Sequence, residues 1–178
     1  LYAQFYINQA EIKKAKEICN RALETISHRE EEQKLRIWIK LLNIEYKHGT
    51  MDSLEELLKQ ALKFNDQLKV YRSMIKIYEE DKKYESAELL FKDLVKKFPM
   101  NKQVWIDFGH FYMKRNFKDS SRSLYQKCIN ILDKADHIDV SSKFAQLECQ
   151  YGDVERAKSL FESILVEHSK RSDIWSVY

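Results

Sequence analysis

The fold is decided by the stretch RIWIKLLNIEYKHGT at residues 36–50. A tryptophan and two leucines stand at positions 0, +3 and +4 of a helical stripe, which is the spacing of side chains on one face of a helix. The tryptophan slot recurs along the chain at intervals of 33, 34, 36 and 34 residues, and one of its occupants is a serine. The slots are occupied by Trp38, Tyr71, Trp105, Ser141 and Trp175.

A second column of small or apolar residues follows each of the first four slots after 16 residues: Leu54, Ala87, Ser121 and Ala157. A period of 33 to 36 residues with a fixed internal offset indicates a helical-repeat protein. Each repeat is a helix pair that buries its apolar face only against its neighbours. The expected fold class is therefore all-α, a right-handed α-α superhelix (solenoid) of antiparallel helix pairs.

The turn inside each repeat carries its own pattern. Gly49 and Gly152 lie eleven residues after the aromatic slot, and Thr50 and Asp153 follow them. We expect each glycine to take the left-handed conformation that ends a first helix, and the next side chain to cap the second helix. Asn116 fills the glycine slot in the fourth repeat and is also expected to be left-handed.

These columns predict eleven helices along the chain. Their expected bounds are 1–9, 12–26, 31–48, 52–64, 67–81, 84–97, 102–115, 118–132, 137–151, 154–167 and 171–178.

The repeat frame also predicts the domain organisation. The aromatic slot of the first repeat projects to just before Leu1, and Tyr178 takes position +3 of a sixth unit. We therefore expect residues 1–178 to be one solenoid fragment of about five repeats, truncated within a repeat at both ends.

The composition excludes several classes of protein. Three Gly, one Pro and 33% charged residues are typical of long amphipathic helices, and 12% aromatic residues are too many for a disordered chain. The apolar stretches are too short to span a membrane. Cys19, Cys128 and Cys149 form no C-x-x-C pair, which predicts thiols packed in a core.

Motifs for catalysis or metal binding are missing from the sequence. Glu45 and His48 have the spacing of half a di-iron site, but no second E-x-x-H occurs. A Gly-rich phosphate loop and a G-x-S-x-G elbow are also missing. We therefore expect no enzyme activity, no metal, no cofactor and no small-molecule substrate.

Charge is unevenly distributed. Residues 82–134 hold 12 basic and 6 acidic side chains, whereas residues 1–81 hold 14 of each and residues 135–178 hold 5 basic and 8 acidic ones. A basic segment of this kind attracts an acidic partner or phosphates, although a solvated basic surface without a ligand is a common alternative.

The repeat units resemble HAT (half-a-tetratricopeptide) repeats, which carry an early aromatic and a later acidic residue in the first helix of the repeat. We call the first helix of each repeat helix A and the second helix B. Trp38 with Glu45, and Glu148 in the fifth repeat, match helix A. Two segments match the HAT helix B, AKEICNRAL at 15–23 and RAKSLFESIL at 156–165.

A closer resemblance is to the C-terminal repeat region of the ribosomal RNA processing protein five family. The segments that carry it include RALETISHREEEQKLRIW (21–38), HIDVSSKFAQLE (137–148) and YGDVERAKSLFE (151–162). The resemblance implies a non-enzymatic factor of early small-subunit ribosome assembly. It also implies a nucleolar location, with pre-ribosomal particles and assembly proteins as partners.

Positions +2, +5 and +9 of helix A form a stripe that packing does not use. In the tetratricopeptide-like fold this stripe would face a ligand, so it is our candidate partner surface. Its members are Lys40, Asn43, Lys47, Ser73, Lys76, Glu80, Asp107, His110, Lys114, Lys143, Gln146 and Gln150.

Two binding functions remain open at this point, a protein scaffold and an RNA-binding module. The scaffold is the expected function, because most aromatic residues lie in packing columns and Phe111 is the main aromatic left to stack on bases. The competing RNA hypothesis relies on the basic middle repeats. Its candidate contacts are Lys76, Lys114, Arg115, Lys118 and Arg122.

Overall fold

A computed structural model describes residues 6, 11–27, 29–169 and 172–178. Those residues contain helices and no strand. The helices are α1 Ile12–Thr25, α2 Glu31–His48, α3 Met51–Phe64, α4 Gln67–Glu80, α5 Tyr84–Lys97, α6 Lys102–Lys114, α7 Lys118–Ile131, α8 Lys134–Tyr151, α9 Val154–Glu167 and α10 Ser172–Val177.

The expected helices are confirmed, and their bounds agree to within one residue except at the start of α8. The predicted helix 1–9 lies outside the described residues apart from Tyr6. Helix α8 begins at Lys134 rather than at residue 137, and its N-cap residue Asp133 makes no side-chain hydrogen bond to the first turn. The extra turn is stabilised by Lys102 of α6, whose ammonium group donates to Asp136 at 2.8 Å. Lys102 and Asp136 are 34 residues apart, so the sequence around the start of α8 gave no indication of this contact.

The chain divides into two compact units, Leu1–Leu90 and Phe91–Tyr178, and the boundary falls within α5. In the first unit α2 packs against α1, α3 and α4, so its neighbours belong to its own and adjacent repeats. Ala15, Cys19, Leu41 and Ile44 form a buried cluster in this unit. Small residues at 15 and 19 let α1 approach α2 closely.

The second unit repeats the same arrangement. Helix α6 packs against its partner α7 and against α8, the first helix of the next repeat, and α8 packs against α9. Short turns join these packed pairs, which makes the consecutive helices antiparallel. Its core includes a cluster of aromatic rings in which Phe108 stacks on Phe91 at 4.9 Å and on Tyr112 at 4.5 Å between centroids.

The first helices of the repeats end in two different ways. In the first way, Lys82 and Asn116 take left-handed conformations, with φ of 59° and 64°. The next amide then bonds to the carbonyl five residues back, from Phe117 to Tyr112 at 3.0 Å, which is the Schellman motif. The expectation for Asn116 is confirmed. Lys82 was missed because lysine has no preference for this conformation.

The two glycines end their helices in the second way. Their φ values are −102° at Gly49 and −112° at Gly152, so the expectation of left-handed glycines is wrong. A Cβ at Gly49 would overlap the carboxylate of Glu45, and one at Gly152 would overlap the carboxylate of Glu148. Glycine is therefore required for space, because an acidic side chain four residues earlier folds back over the helix end.

The predicted caps of the second helices are confirmed. The Thr50 side chain accepts from the amide of Ser53 at 3.2 Å and forms a capping box with it. Asp153 accepts from the amide of Glu155 at 2.9 Å. These side chains satisfy amides that have no partner inside the helix.

The serine in the aromatic column is explained by a neighbouring tyrosine. Ser141 is buried, and its hydroxyl lies 2.8 Å from the hydroxyl of Tyr125 on α7. The Tyr125 ring also packs on Phe144 of α8, with 5.1 Å between centroids. A ring from the preceding repeat thus lies at the slot that an aromatic residue fills elsewhere.

Helices α6 and α8 approach closely at Gly109. A Cβ added there would lie 2.5 Å from Cζ of Phe144, which is itself buried. We expect Gly109→Ala to lower the free energy of unfolding by about 1–3 kcal/mol, because overpacking outweighs the higher helix propensity of alanine. Urea denaturation measures this loss, and Phe144→Leu in the same chain should recover part of it. A more stable Gly109→Ala variant would contradict the close approach.

Candidate functional site

The candidate partner surface of the first unit lies on α2 and α4, which pack against each other. Lys40, Lys47, Lys76 and Glu80 are exposed, whereas Asn43 and Ser73 are half-buried. The neighbouring columns Leu41, Leu42, Met74 and Ile75 are buried. The stripe is therefore the solvent-facing side of these helices, and its charge is mainly positive.

In the second unit the corresponding stripe lies on α6 and α8. His110, Lys114, Lys143 and Gln150 are exposed, and Asp107 and Gln146 are half-buried. The His110 ring lies against Tyr151 at the end of α8, with 3.3 Å between Nε2 and the phenol oxygen. That contact joins two successive repeats on the same side as the stripe.

The five basic residues of the RNA hypothesis differ in their surroundings. Lys76 belongs to the first unit and the other four to the second, and both Lys76 and Lys114 are exposed. The guanidinium of Arg115 lies 3.9 Å from the centroid of the Phe111 ring. Lys118 donates to the carbonyl of Gly152 at 3.3 Å. These intrachain contacts orient two of the cations, and their role in RNA binding stays a prediction.

Arg122, the fifth of these residues, is bound to a buried carboxylate. Its Nε and Nη2 donate to the two oxygens of Glu148 at 2.7 and 3.1 Å, and Glu148 is 3% exposed. Glu148 also accepts from the amide of Asp153 at 3.1 Å and lies 3.5 Å from Arg156. Hydrogen bonding to Glu148 raises the pKa of Arg122. One carboxylate thus connects α7, α8 and the start of α9.

The first unit contains a second copy of this connection. Glu45 pairs with Lys16 of α1 at 2.5 Å and accepts from the hydroxyl of Ser53 on α3 at 2.5 Å. Burial raises the pKa of Glu45, but the hydrogen bonds from Lys16 and Ser53 bring it below its usual value. The ionised pair therefore stabilises the fold fully at pH values above the ordinary carboxyl pKa. This stabilisation is lost as the pH falls through the lowered pKa of Glu45.

Sequence reasoning missed these two connections, although a signal was present. Glu45 and Glu148 occupy position +7 of helix A, and Lys16 and Arg122 occupy the same column of the preceding helix B. In the repeats whose helix A ends with Lys82 or Asn116, position +7 holds a tyrosine instead. The sequence pattern of this connection consists of an acid at position +7 of helix A, a glycine four residues later and a cation in the preceding helix B.

The expected exposure of Phe111 is wrong. It is 3% exposed, because it packs between Phe91 and Tyr112 and its ring face carries the guanidinium of Arg115. The aromatic side chains that do reach solvent include Phe64 and Phe117, which are 66% and 55% exposed. Both lie outside the apolar packing columns, and Phe117 occupies the cap slot that Thr50 and Asp153 fill in other repeats, so periodicity did not indicate an aromatic ring at either position.

Cys19 and Cys128 are buried as expected, and burial raises the pKa of Cys128 to about 12. Cys149 is exposed, which corrects the expectation of a packed thiol there. Among the residues with described positions, no group of three or more His, Cys, Asp or Glu side chains could hold a metal ion. In the same residues, no helix has the length and apolar character needed to cross a membrane.

This architecture is that of a tetratricopeptide-like helical repeat protein. It is similar to a solved tetratricopeptide repeat protein of Parabacteroides merdae, with a TM-score of 0.51 and 13% identity over 99% of this chain and 68% of that one. A thermophilic tetratricopeptide repeat protein of Thermus thermophilus gives a TM-score of 0.50 and 18% identity over 98% and 92%. At these identities the likeness shows the fold alone.

Residues 62–178 match the family model of the PRP39 C-terminal HAT repeat. Because the match covers more than half of the chain, this chain belongs to the HAT-repeat family. The resemblance drawn from the aromatic and acidic columns is confirmed.

Over 99% of its length the chain is also similar to curated relatives. It is 42% identical to the mouse Protein RRP5 homolog, 36% to rRNA biogenesis protein RRP5 of Arabidopsis thaliana and 35% to rRNA biogenesis protein rrp5 of Schizosaccharomyces pombe. The second resemblance, to this family of ribosomal RNA processing proteins, is therefore confirmed as well. The chain spans only 9–10% of the length of these relatives.

Proposed function

We propose that this chain is a non-enzymatic protein-binding scaffold in nucleolar pre-ribosomal RNA processing and small-subunit assembly, and that its helix A stripe binds other assembly factors. The observation that carries the proposal is the separation of roles on helix A. Buried columns such as Tyr71 and Met74 pack the repeats, whereas the polar stripe is exposed or half-buried in both units. The relatives named for rRNA biogenesis supply the cellular process.

The chemistry of the stripe favours a protein partner with an acidic surface. Its twelve positions include five lysines and two acids, and the rest are Asn, Gln, Ser and His. Amide and hydroxyl side chains hydrogen-bond to a polypeptide backbone, and positive charge speeds the approach of an acidic partner and selects for it. The two acids, Glu80 and Asp107, make the stripe less positive than a groove that binds a nucleic-acid backbone through its phosphates.

Direct RNA binding through the basic middle repeats is the competing function. Stacking on bases needs exposed aromatic rings between the basic residues, and Phe111, the ring expected to do this, is buried. Phe117, which lies between Arg115 and Lys118, is 55% exposed and is the ring that RNA binding would use instead. The guanidinium of Arg122 is also paired with Glu148 at 2.7 Å, so binding a phosphate there competes with an existing ion pair.

Charge reversal of the stripe tests the scaffold in the complete protein. We expect Lys40→Glu, Lys76→Glu and Lys143→Glu together to lower recovery of assembly proteins with the purified particle by on the order of tenfold, because like charges then face an acidic partner. Crosslinking with mass spectrometry on the intact particle should place protein crosslinks on these lysines in the unaltered chain. Quantitative mass spectrometry of the purified particle measures the recovery.

A matched variant controls for the change in net charge. Lys13→Glu, Lys59→Glu and Lys134→Glu reverse three exposed lysines outside the stripe and should leave recovery unchanged. Equal losses for both variants, or crosslinks from the stripe to RNA and not to protein, would refute the scaffold.

The salt dependence of RNA binding separates the two functions in the isolated chain. If the five basic residues engaged about four phosphates of single-stranded RNA, affinity would fall with a log–log slope near −3. We expect weak affinity that is lost near physiological salt. Tight, salt-tolerant binding that disappears on reversing Lys76 and Lys114 would establish RNA binding instead. Circular dichroism of each variant checks that the fold is retained.

A further inference from the structure

The second unit contains a cleft on the side of the second helices, away from the helix A stripe. It has a volume of about 550 Å³ and lies between residues of α5, α6 and α7. Cavities of this size hold small ligands or one or two side chains of a bound segment. Its lining includes no residue of the helix A stripe and neither of the carboxylates Glu45 and Glu148.

The floor of the cleft is apolar and formed by buried residues. It includes Trp105, Phe108 and Leu124, which are 2%, 3% and 7% exposed. The indole N–H of Trp105 donates to the carbonyl of Pro99 at 2.8 Å, so that donor is already used. The floor therefore offers an entering group apolar contact and excludes water from it.

The rim of the cleft is mainly positive. Lys92, Lys96 and Lys127 line it and are exposed, and Asp119 is the acid among the lining residues. Lys96 also lies 3.9 Å from the carboxylate of Asp93 on the surface of α5, a pair that solvent weakens. The Asp119 carboxylate lies 3.5 Å from the guanidinium of Arg122, which partly neutralises it. An occupant that places an apolar group on the floor would bring its flanking groups next to three ammonium groups.

The rings in the floor are poorly placed to bind a nucleic-acid base. Phe108 is already stacked on Phe91 and Tyr112, and it is 3% exposed. Base recognition on single strands requires an aromatic ring with an accessible face. A peptide side chain requires only an apolar depression, which is what these residues form.

We propose that this cleft is a docking site for an acidic linear segment of a protein partner, which inserts one apolar side chain onto Trp105, Phe108 and Leu124. Carboxylates on either side of that residue pair with Lys92, Lys96 and Lys127. Ser120 and Ser123 line the same cleft and present hydroxyl groups to the backbone of the segment. The site is separate from the proposed stripe and does not depend on it.

A synthetic probe tests the docking site on the 178-residue chain. The probe is a fluorescein-labelled peptide of about eight residues, Asp and Glu with one central Leu, and anisotropy measures its binding. We expect Lys92→Glu, Lys96→Glu and Lys127→Glu together to weaken binding by on the order of tenfold or more, since three favourable pairs become repulsive. Replacing the central Leu of the probe with Asn should weaken binding by a similar factor, since the apolar contact is lost.

Two further variants separate the cleft from general charge effects. The stripe variant with Lys40→Glu, Lys76→Glu and Lys143→Glu has the same net charge as the cleft variant, and it should keep most of the binding. Ser123→Trp fills the cleft from an exposed position without removing a core residue, and it should abolish binding. Its matched control, Ser159→Trp on α9, is equally an exposed serine and should bind normally.

Three results would overturn the proposal. The first is equal binding of the Leu and Asn probes, which would indicate charge attraction alone. The second is an equal loss in the stripe and cleft variants. The third is displacement of the probe by oligouridylate together with tight binding of that RNA in the cleft, which would assign the cleft to nucleic acid. None of these results bears on whether the stripe binds assembly factors.

Discussion

Replacing Trp105 with alanine is expected to lower the free energy of unfolding by about 3–5 kcal/mol. The side chain is 2% exposed, lies on α6 beside cleft residues of α5 and α7, and donates its indole N–H to the carbonyl of Pro99 at 2.8 Å. Alanine would leave a large cavity and an unsatisfied carbonyl. Urea denaturation followed by circular dichroism measures the loss. Hydrogen exchange should show increased opening around α6 before α1, because stability in a repeat protein comes from neighbouring units.

Trp175 is the matched control for this prediction. It occupies the same repeat slot, and its indole N–H bonds to the carbonyl six residues earlier, as in Trp105, but it is 53% exposed. We expect Trp175→Ala to cost less than half as much as Trp105→Ala. Intact stability of Trp105→Ala with loss of a partner would make the aromatic column a binding feature and refute its packing role.

Replacing Glu148 with alanine is expected to cost about 3 kcal/mol, near the lower end for a broken buried ion pair. The carboxylate is 3% exposed and holds Arg122 through two hydrogen bonds, so its removal leaves a guanidinium without its partner. The loss is limited because the Arg122 side chain is 26% exposed and gains water in return. Equilibrium denaturation of Glu148→Ala, Arg122→Ala and the double variant measures the coupling directly.

The control for Glu148 is Glu155, which pairs with Lys158 on the surface at 2.8 Å and is 81% exposed. Glu155→Ala should change stability little, as isolated surface pairs contribute little. A Glu148→Ala variant as stable as Glu155→Ala would show that the buried carboxylate is not structural. The prediction also affects RNA measurements, because charge reversal at Arg122 is expected to destabilise the repeats whether or not RNA binds.

The helices and their order could be predicted from local sequence. The aromatic slot, the column sixteen residues later and the Thr50 and Asp153 caps each depend on residues within one or two turns, and their periods are those of the helix itself. The bounds of most helices therefore agree with the structure to within one residue. The side chains of the candidate stripe are exposed or half-buried for the same reason, since they lie outside the packing columns.

Properties that depend on a neighbouring repeat had to come from the three-dimensional structure. The pairing of Arg122 with Glu148 joins residues 26 positions apart, and the burial of Phe111 depends on Phe91 of another helix. The need for a glycine at position 152 follows from the position of the Glu148 carboxylate, which is itself held by that distant cation. Helical periodicity determines which face a side chain lies on, whereas its contacts on that face depend on which helix packs against it. For both of these contacts that helix belongs to the preceding repeat, and its residues lie 20 to 26 positions earlier along the sequence.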